Sequence, residues 1–235
     1  MITLLLVRHG LTELTGPVLA GWTPGLSLDG RGRAQASALG ERLAPVPLAA
    51  VVSSPLDRCL ETAGAVVSAP GRAAPPPGGI RPDERFGEVR YGDWTGRPLK
   101  ELAEEPLWRV VQAHPSAVTF PGREGEAMAA AQHRAVAAVR DWNARIAAEA
   151  GPEATYLVCS HGDIIKAVVA DALGLHLDQF QRIQVDPASL TVIRYTELRP
   201  FVVRLNDTGG GVSGLLPGPG APAGGEGDAP VGGGA

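Results

Sequence analysis

The sequence predicts a single α/β domain built on a mostly parallel sheet that is covered by helices on both faces. Short apolar runs alternate with segments of helical period, as in successive βαβ units. Those runs are nearly unbroken rather than alternating, as expected of strands buried on both sides. The chain has 235 residues, 44% of them hydrophobic and 20% charged, enough to enclose such a core without metal or disulfide support.

The first strand is expected at 2–7, an apolar run interrupted only by Thr3. A helix follows over 29–43, opened by Asp29 as its cap, and 48–52 is again an apolar strand. Pro55 suits the first position of a second helix, in which Leu56, Leu60, Ala63 and Val67 recur at four, three and four residues and so share one face. The prolines and glycines of 69–79 prevent both helix and ladder pairing and predict a loop. Residues 99–111 and the Ala-rich stretch 126–148 read as helices, 155–159 as a strand and 164–173 as the helix after it. Three short closing strands are expected at 183–185, 190–195 and 201–205. Together these make one domain over 1–207. The Gly-, Pro- and Ala-rich remainder, 208–235, has too few large apolar side chains to offset its ordering entropy and is expected to be a disordered tail.

Lys and Arg number 21 against 25 Asp and Glu, for a formal charge of −4. No window carries the basic stripe that a nucleic acid or an anionic membrane requires, so neither is an expected partner. The apolar N-terminal run is too short for a signal sequence or a membrane span. Cys59 and Cys159 are the only cysteines, which suits reduced thiols better than a disulfide framework. A cytoplasmic location is expected. Composition leaves room for a homodimer.

Chemistry is expected where two similar turns leave strands. Arg8-His9-Gly10 follows the first strand, and Ser160-His161-Gly162 follows the strand at 155–159. In open α/β sheets ligands collect beyond the carboxyl ends of the strands, so the two turns can face one pocket. Gly10 and Gly162 permit tight turns and close approach to an anion, helped by the free N–H groups of the following helix. Arg58 falls in the first turn of a helix, against the macrodipole preference, a cost of about 0.3–1 kcal/mol that an anion there would offset. Glu88 sits in a Gly-punctuated loop that can carry an acid over a pocket.

Two imidazoles, two guanidiniums and a carboxyl group suit cleavage of a phosphate monoester through a phosphohistidine. Neutral His9 would attack phosphorus. Arg8, Arg58 and His161 would hold the non-bridging oxygens, each charge contributing about 4 kcal/mol at 4 Å before desolvation. Glu88, its pKa raised by the dianion, would protonate the leaving alkoxide and then activate water.

These residues resemble the histidine phosphatase superfamily, in its phosphoglycerate-mutase-like branch. The likeness is carried by Leu6-Val7-Arg8-His9-Gly10-Leu11-Thr12, by Ser53-Ser54-Pro55 with Arg58 and Glu61-Thr62-Ala63, by Glu88 with Tyr91-Gly92 and Trp94-Thr95-Gly96, and by Ser160-His161-Gly162. It implies a three-layer α/β/α sandwich, His9 as nucleophile, a phosphate pocket of Arg8, Arg58 and His161, and Glu88 as proton donor. It implies no metal, no organic cofactor and a small-molecule phosphate ester as substrate. Residues 19–25 and 105–109 further resemble an actinobacterial subgroup often labelled phosphomutase. The family usually places Asn a few residues after the first His and Gln before the next Gly; here Thr15 and Ala20 stand in those neighbourhoods. Thr15 is taken as a substrate contact, while substrate identity does not transfer. The chain lacks the longer mid-chain insertion and structured C-terminal segment of the glycolytic mutases, so hydrolysis is favoured over phosphate transfer. The alternatives are a phosphomutase and a non-catalytic phospholigand-binding regulatory module.

Other residues have plainer readings. Glu126 is read as a favourable first-turn charge, and Trp22 and Tyr91 as pocket wall or packing. His114, His133 and His176 show no metal-ligand spacing. Cys159, inside an apolar strand, is expected to be an inert thiol.

Overall fold

The computed structural model describes residues 1–72 and 74–210. In chain order it contains β1 (Ile2–Arg8), α1 (Gly30–Leu43), β2 (Ala50–Ser53), α2 (Asp57–Val67), β3 (Ile80–Pro82), α3 (Leu99–Leu102), α4 (Pro106–Ala113), α5 (Met128–Ala150), β4 (Thr155–Ser160), α6 (Gly162–Ala172), β5 (Leu190–Tyr195) and β6 (Pro200–Asp207). One six-stranded sheet runs in the order β3-β2-β4-β1-β5-β6. The β3/β2, β2/β4 and β4/β1 pairs are parallel, and β5 and β6 close the other side antiparallel. The expected mostly parallel α/β sandwich is therefore present.

The unbroken apolar runs reflect two buried faces. Leu4 and Leu6 of β1 join the core under α5 and α6, with Val136, Ile146, Ile164 and Ile165. Leu5 and Val7 point the other way, into the core under α1 and α2, with Leu39, Leu43, Ala63 and Val66. Each large aliphatic side chain so enclosed contributes about 1.5–3 kcal/mol relative to exposure. Asp29 caps α1 as expected, its carboxylate accepting from the Gly32 amide at 2.7 Å. Gly32 also has a packing role: a Cβ there would stand 1.9 Å from the Leu11 carbonyl oxygen, so only glycine lets the segment after β1 lie against the helix.

Several elements differ from expectation. The 99–111 segment is two helices, because Pro106 has no N–H to continue α3 and instead opens α4. The second helix begins at Asp57 rather than Pro55; Ser54 Oγ accepts from the Leu56 amide at 3.3 Å just before it. Residues 183–185 do not form a strand. Ile183 and Val185 are buried, at 4% and 2% exposure, which explains their apolar character. Their backbone lies outside the ladders, and the Val185 carbonyl accepts a side-chain hydrogen bond from Arg8 instead. Ile80–Pro82 adds an edge strand immediately after the expected loop. The expected disordered tail, from residue 211 onward, lies outside the described residues. Among the described residues no helix is long and apolar enough to cross a membrane.

Candidate active site

The sheet brings the two His-Gly turns together. β1 and β4 are neighbours in parallel register, with Arg8 opposite Ser160 at their carboxyl ends, and the His9 amide donates to the Ser160 carbonyl at 3.0 Å. From there β1 leads to α1 over one face and β4 to α6 over the other, which opens the crevice in which α/β proteins hold ligands. The two imidazoles meet edge-on with ring centres 5.2 Å apart.

β2 lies on the far side of β4 and delivers Arg58 through the first turn of α2. The Arg58 guanidinium joins the two turns. Its Nε donates to His9 Nε2 at 3.2 Å, and its Nη2 donates to His161 Nδ1 at 3.2 Å and to the Gly21 carbonyl at 2.7 Å. Arg8 is fixed by Nη1 donating to the Val185 carbonyl at 2.7 Å. The loop after β3 carries Glu88, whose Oε2 stands 4.0 Å from His161 Nδ1. Arg8, His9, Arg58, Glu88 and His161 are all buried, none more than 6% exposed.

Protonation follows from these contacts. His9 Nδ1 lies 2.7 Å from the Gly10 carbonyl, which can only accept, so Nδ1 carries the proton and Nε2 keeps its lone pair. Burial, Arg58 and Arg8 hold the His9 imidazole well below its ordinary pKa, hence neutral. Burial and Arg58 do the same to His161, whose Nε2 pairs with Ser54 Oγ at 2.8 Å. Burial and then Asp163 push the Glu88 carboxyl up to about 7, although the Val89 amide donates to its Oε1 at 2.9 Å. The site therefore presents two guanidinium charges beside two neutral imidazoles and a carboxyl that titrates at about 7. Arg8 Nε and Arg58 Nη1 are buried without a hydrogen-bond partner among the described residues. Buried N–H groups of that kind are costly unless an anion accepts from them.

Arg134 of α5 holds the Glu88 loop. Its guanidinium pairs with Glu126 at 2.7 and 2.9 Å and donates to the carbonyls of Arg85, Gly87 and Glu88 at 2.8–3.0 Å. Glu126 lies before α5 rather than in its first turn; it also accepts from the Arg90 amide at 3.2 Å. Trp22 Nε1 adds a bond to the Glu88 carbonyl at 2.6 Å, and Tyr91 OH donates to Asp163 at 2.9 Å. Substituting Arg134→Met removes the side-chain bonds to the Arg85 and Gly87 carbonyls and leaves the Glu88 carbonyl with Trp22 alone and Glu126 with the Arg90 amide alone. Because small misplacements of the expected proton donor are costly, kcat should fall about 10–100-fold with KM nearly unchanged in steady-state assays. An unchanged kcat would remove Arg134 as a positioning residue.

The cleft in front of these groups is lined by Arg8, His9, Arg58 and Glu88 together with Thr15, Ala20 and their neighbours. Thr15 thus stands where a substrate contact is expected. Gly10, Gly162 and His161 do not line it, and His161 meets the site through Arg58 Nη2. The Gly10 amide already donates to Thr62 Oγ1 at 3.1 Å, and a Cβ there would lie 2.6 Å from the Gly32 carbonyl oxygen, so Gly10 serves packing. Gly162 starts α6 behind His161. Cys159 is fully buried and its thiol pKa is pushed well up by burial, as expected of an inert thiol. Among the described residues no three His, Cys, Asp or Glu side chains are grouped to hold a metal ion.

An α/β sandwich with paired imidazoles and guanidiniums where its central strands end defines a class of phosphate-handling enzymes in which histidine is placed to act as nucleophile. The model described as "Histidine phosphatase superfamily (branch 1)" matches residues 4–208, and the chain belongs to that family. Phosphoserine phosphatase 1 of Hydrogenobacter thermophilus is 31% identical over 219 residues, covering 88% of this chain and 93% of that protein. Glucosyl-3-phosphoglycerate phosphatase of Mycolicibacterium vanbaalenii is 30% identical over 183 residues, covering 75% and 76%. The solved structure of Bacillus stearothermophilus YhfR is 31% identical, with a TM-score of 0.73 over 88% of this chain and 98% of that one.

Proposed function

We propose that this protein is a cytoplasmic, metal-independent phosphomonoester hydrolase that works through a phosphohistidine on His9, with Glu88 as proton donor. One observation carries the reading. His9 has its Nδ1 proton fixed on the Gly10 carbonyl and its Nε2 lone pair held beside the Arg58 guanidinium, where a phosphoryl group would be bound. The names of two relatives, a phosphoserine phosphatase and a glucosyl-3-phosphoglycerate phosphatase, support the reaction class.

The incoming dianion takes the free N–H groups of Arg8 and Arg58 and draws Arg58 Nε away from His9 Nε2. That lone pair then attacks phosphorus in line, and the P–O bond to the leaving group breaks as Glu88 gives the departing oxygen its proton. His161 takes up a proton from solvent as negative charge arrives and donates from Nδ1 to a phosphate oxygen. Water next attacks phosphorus, gives its proton to the Glu88 carboxylate, and the P–N electron pair returns to His9. The guanidiniums supply the charge stabilisation that a metal gives in other phosphatases.

The test is to trap the intermediate by rapid mixing with p-nitrophenyl phosphate and quenching in base. The phosphoryl group is expected on the peptide that contains His9, stable in base and lost in acid, with orthophosphate released from a single substrate. Label on a serine, threonine or cysteine, or none during turnover, rejects the mechanism. Isomerised substrate without orthophosphate would show a mutase.

A further inference from the structure

The walls of the cleft beyond the phosphate end differ in chemistry from its floor. Among the described residues the charged or titratable groups lining it are Arg8, His9, Arg58, Glu88 and the buried phenol of Tyr91, whose hydroxyl is engaged by Asp163. The rest of the wall includes Thr12, Thr15, Val18, Ala20 and Leu99. Thr12 and Thr15 pair through their hydroxyls at 3.0 Å, and the Thr12 amide donates to Thr15 Oγ1 at 3.0 Å. This hydroxyl pair can still exchange hydrogen bonds with an alcohol, but it brings no positive charge. Arg97, on the segment that bridges to Val18 through Pro98, is already paired with Glu105 at 2.8 Å.

A phosphate ester held at the floor has its alcohol portion against this wall. If that body carries a carboxylate or a second phosphate, the charge leaves water without a cation to receive it, since Arg8 and Arg58 are engaged by the phosphoryl oxygens. Such uncompensated desolvation is expensive, and Glu88 adds repulsion whenever it is ionised. A hydroxylated, uncharged body meets the paired threonine hydroxyls and the small apolar side chains without that penalty.

We infer that the enzyme selects phosphomonoesters whose alcohol portion is an uncharged polyol and discriminates against those bearing a carboxylate or second phosphate. The inference rests on the hydrolase reading and names the substrate class of the same site. Val18, half-buried at the cleft wall, is a specificity-determining position.

Glycerol 3-phosphate and 3-phosphoglycerate form a matched pair, differing in a terminal CH2OH against a carboxylate. With p-nitrophenyl phosphate as reference, kcat/KM is expected to favour glycerol 3-phosphate by at least ~10-fold, the factor that one pK unit of differential interaction gives. In V18K the ratio should shrink at least ~5-fold, because a lysine there supplies the missing cation and its stem can lie along the apolar wall. The ratio is taken within one preparation, so partial loss of folded protein cancels. Equal or faster turnover of 3-phosphoglycerate, or a ratio that V18K leaves in place, overturns the inference while p-nitrophenyl phosphate turnover keeps the hydrolase reading. Failure to hydrolyse any of the three removes that reading and the inference with it.

Discussion

His9→Ala is expected to lower kcat/KM on p-nitrophenyl phosphate by at least ~10⁴-fold, because without the imidazole the covalent route is closed and what remains is electrostatic binding of the ester. Folding should survive. The side chain accepts from Arg58 Nε and donates to the Gly10 carbonyl, and its loss opens a small polar space at the floor of the cleft rather than a void in either apolar core. The proposed phosphate anchors Arg8, Arg58 and His161 are untouched. The variant should therefore still bind orthophosphate or vanadate, and more readily than the parent, since Arg58 Nε no longer has a ring nitrogen to satisfy. Loss of turnover together with retained oxyanion binding, read by calorimetry and with an unchanged circular dichroism spectrum, is the expected result. Turnover within tenfold of the parent would reject His9 as nucleophile.

Much of this site was legible because its parts sit where strands end. The runs at 2–7 and 155–159 are apolar on both faces, so each marks a central strand, and a histidine followed by glycine marks the exit from each. What periodicity could not show is that β4 inserts between β1 and β2. That ordering puts Arg8 beside Ser160 and Arg58 within reach of both rings. The resemblance supplied the convergence that spacing alone leaves open. The elements that escaped have a common cause. Residues 183–185 are apolar because they are buried, yet a three-residue run carries no period that separates a strand from an irregular buried segment. The split of 99–111 falls at Pro106, a helix breaker inside a stretch that reads as helical on both sides. Arg134 left no trace, because its role depends on three carbonyls that lie 46–49 residues away in the chain. The same is true of Asp163. Its bond to Tyr91 spans 72 residues and exists only after α6 has packed behind the site.

Glu88→Gln is expected to separate the two halves of the reaction. Glutamine fills nearly the same volume and can keep the Val89 amide bond that Glu88 Oε1 accepts at 2.9 Å, but it neither donates a transferable proton nor accepts one from water. For an alkyl phosphate, whose leaving alkoxide is strongly basic, kcat should fall about 10²–10⁴-fold, the usual contribution of a positioned acid. For p-nitrophenyl phosphate the leaving group departs without a proton, so phosphorylation of His9 continues while hydrolysis of the phosphohistidine, which needs the carboxylate as base, slows. The variant should then show a burst of nitrophenol stoichiometric with enzyme, followed by slow steady turnover. The pH profile gives a second arm. By the proposed mechanism, alkyl phosphate turnover in the parent requires protonated Glu88, whose carboxyl is pushed up to about 7; activity should decline as pH rises through that value, and the glutamine variant should lack this limb. The same shift fixes the sign of the stability change. Because the folded-state pKa lies above the ordinary carboxyl value, the stability contributed by the protonated side chain is fully present at low pH and lost as pH rises through about 7. Glu88→Gln should accordingly be more stable than the parent above pH 7, by thermal melts, even as it loses activity. Equal losses on aryl and alkyl esters, with no burst and an unchanged alkaline limb, would assign the proton to another group.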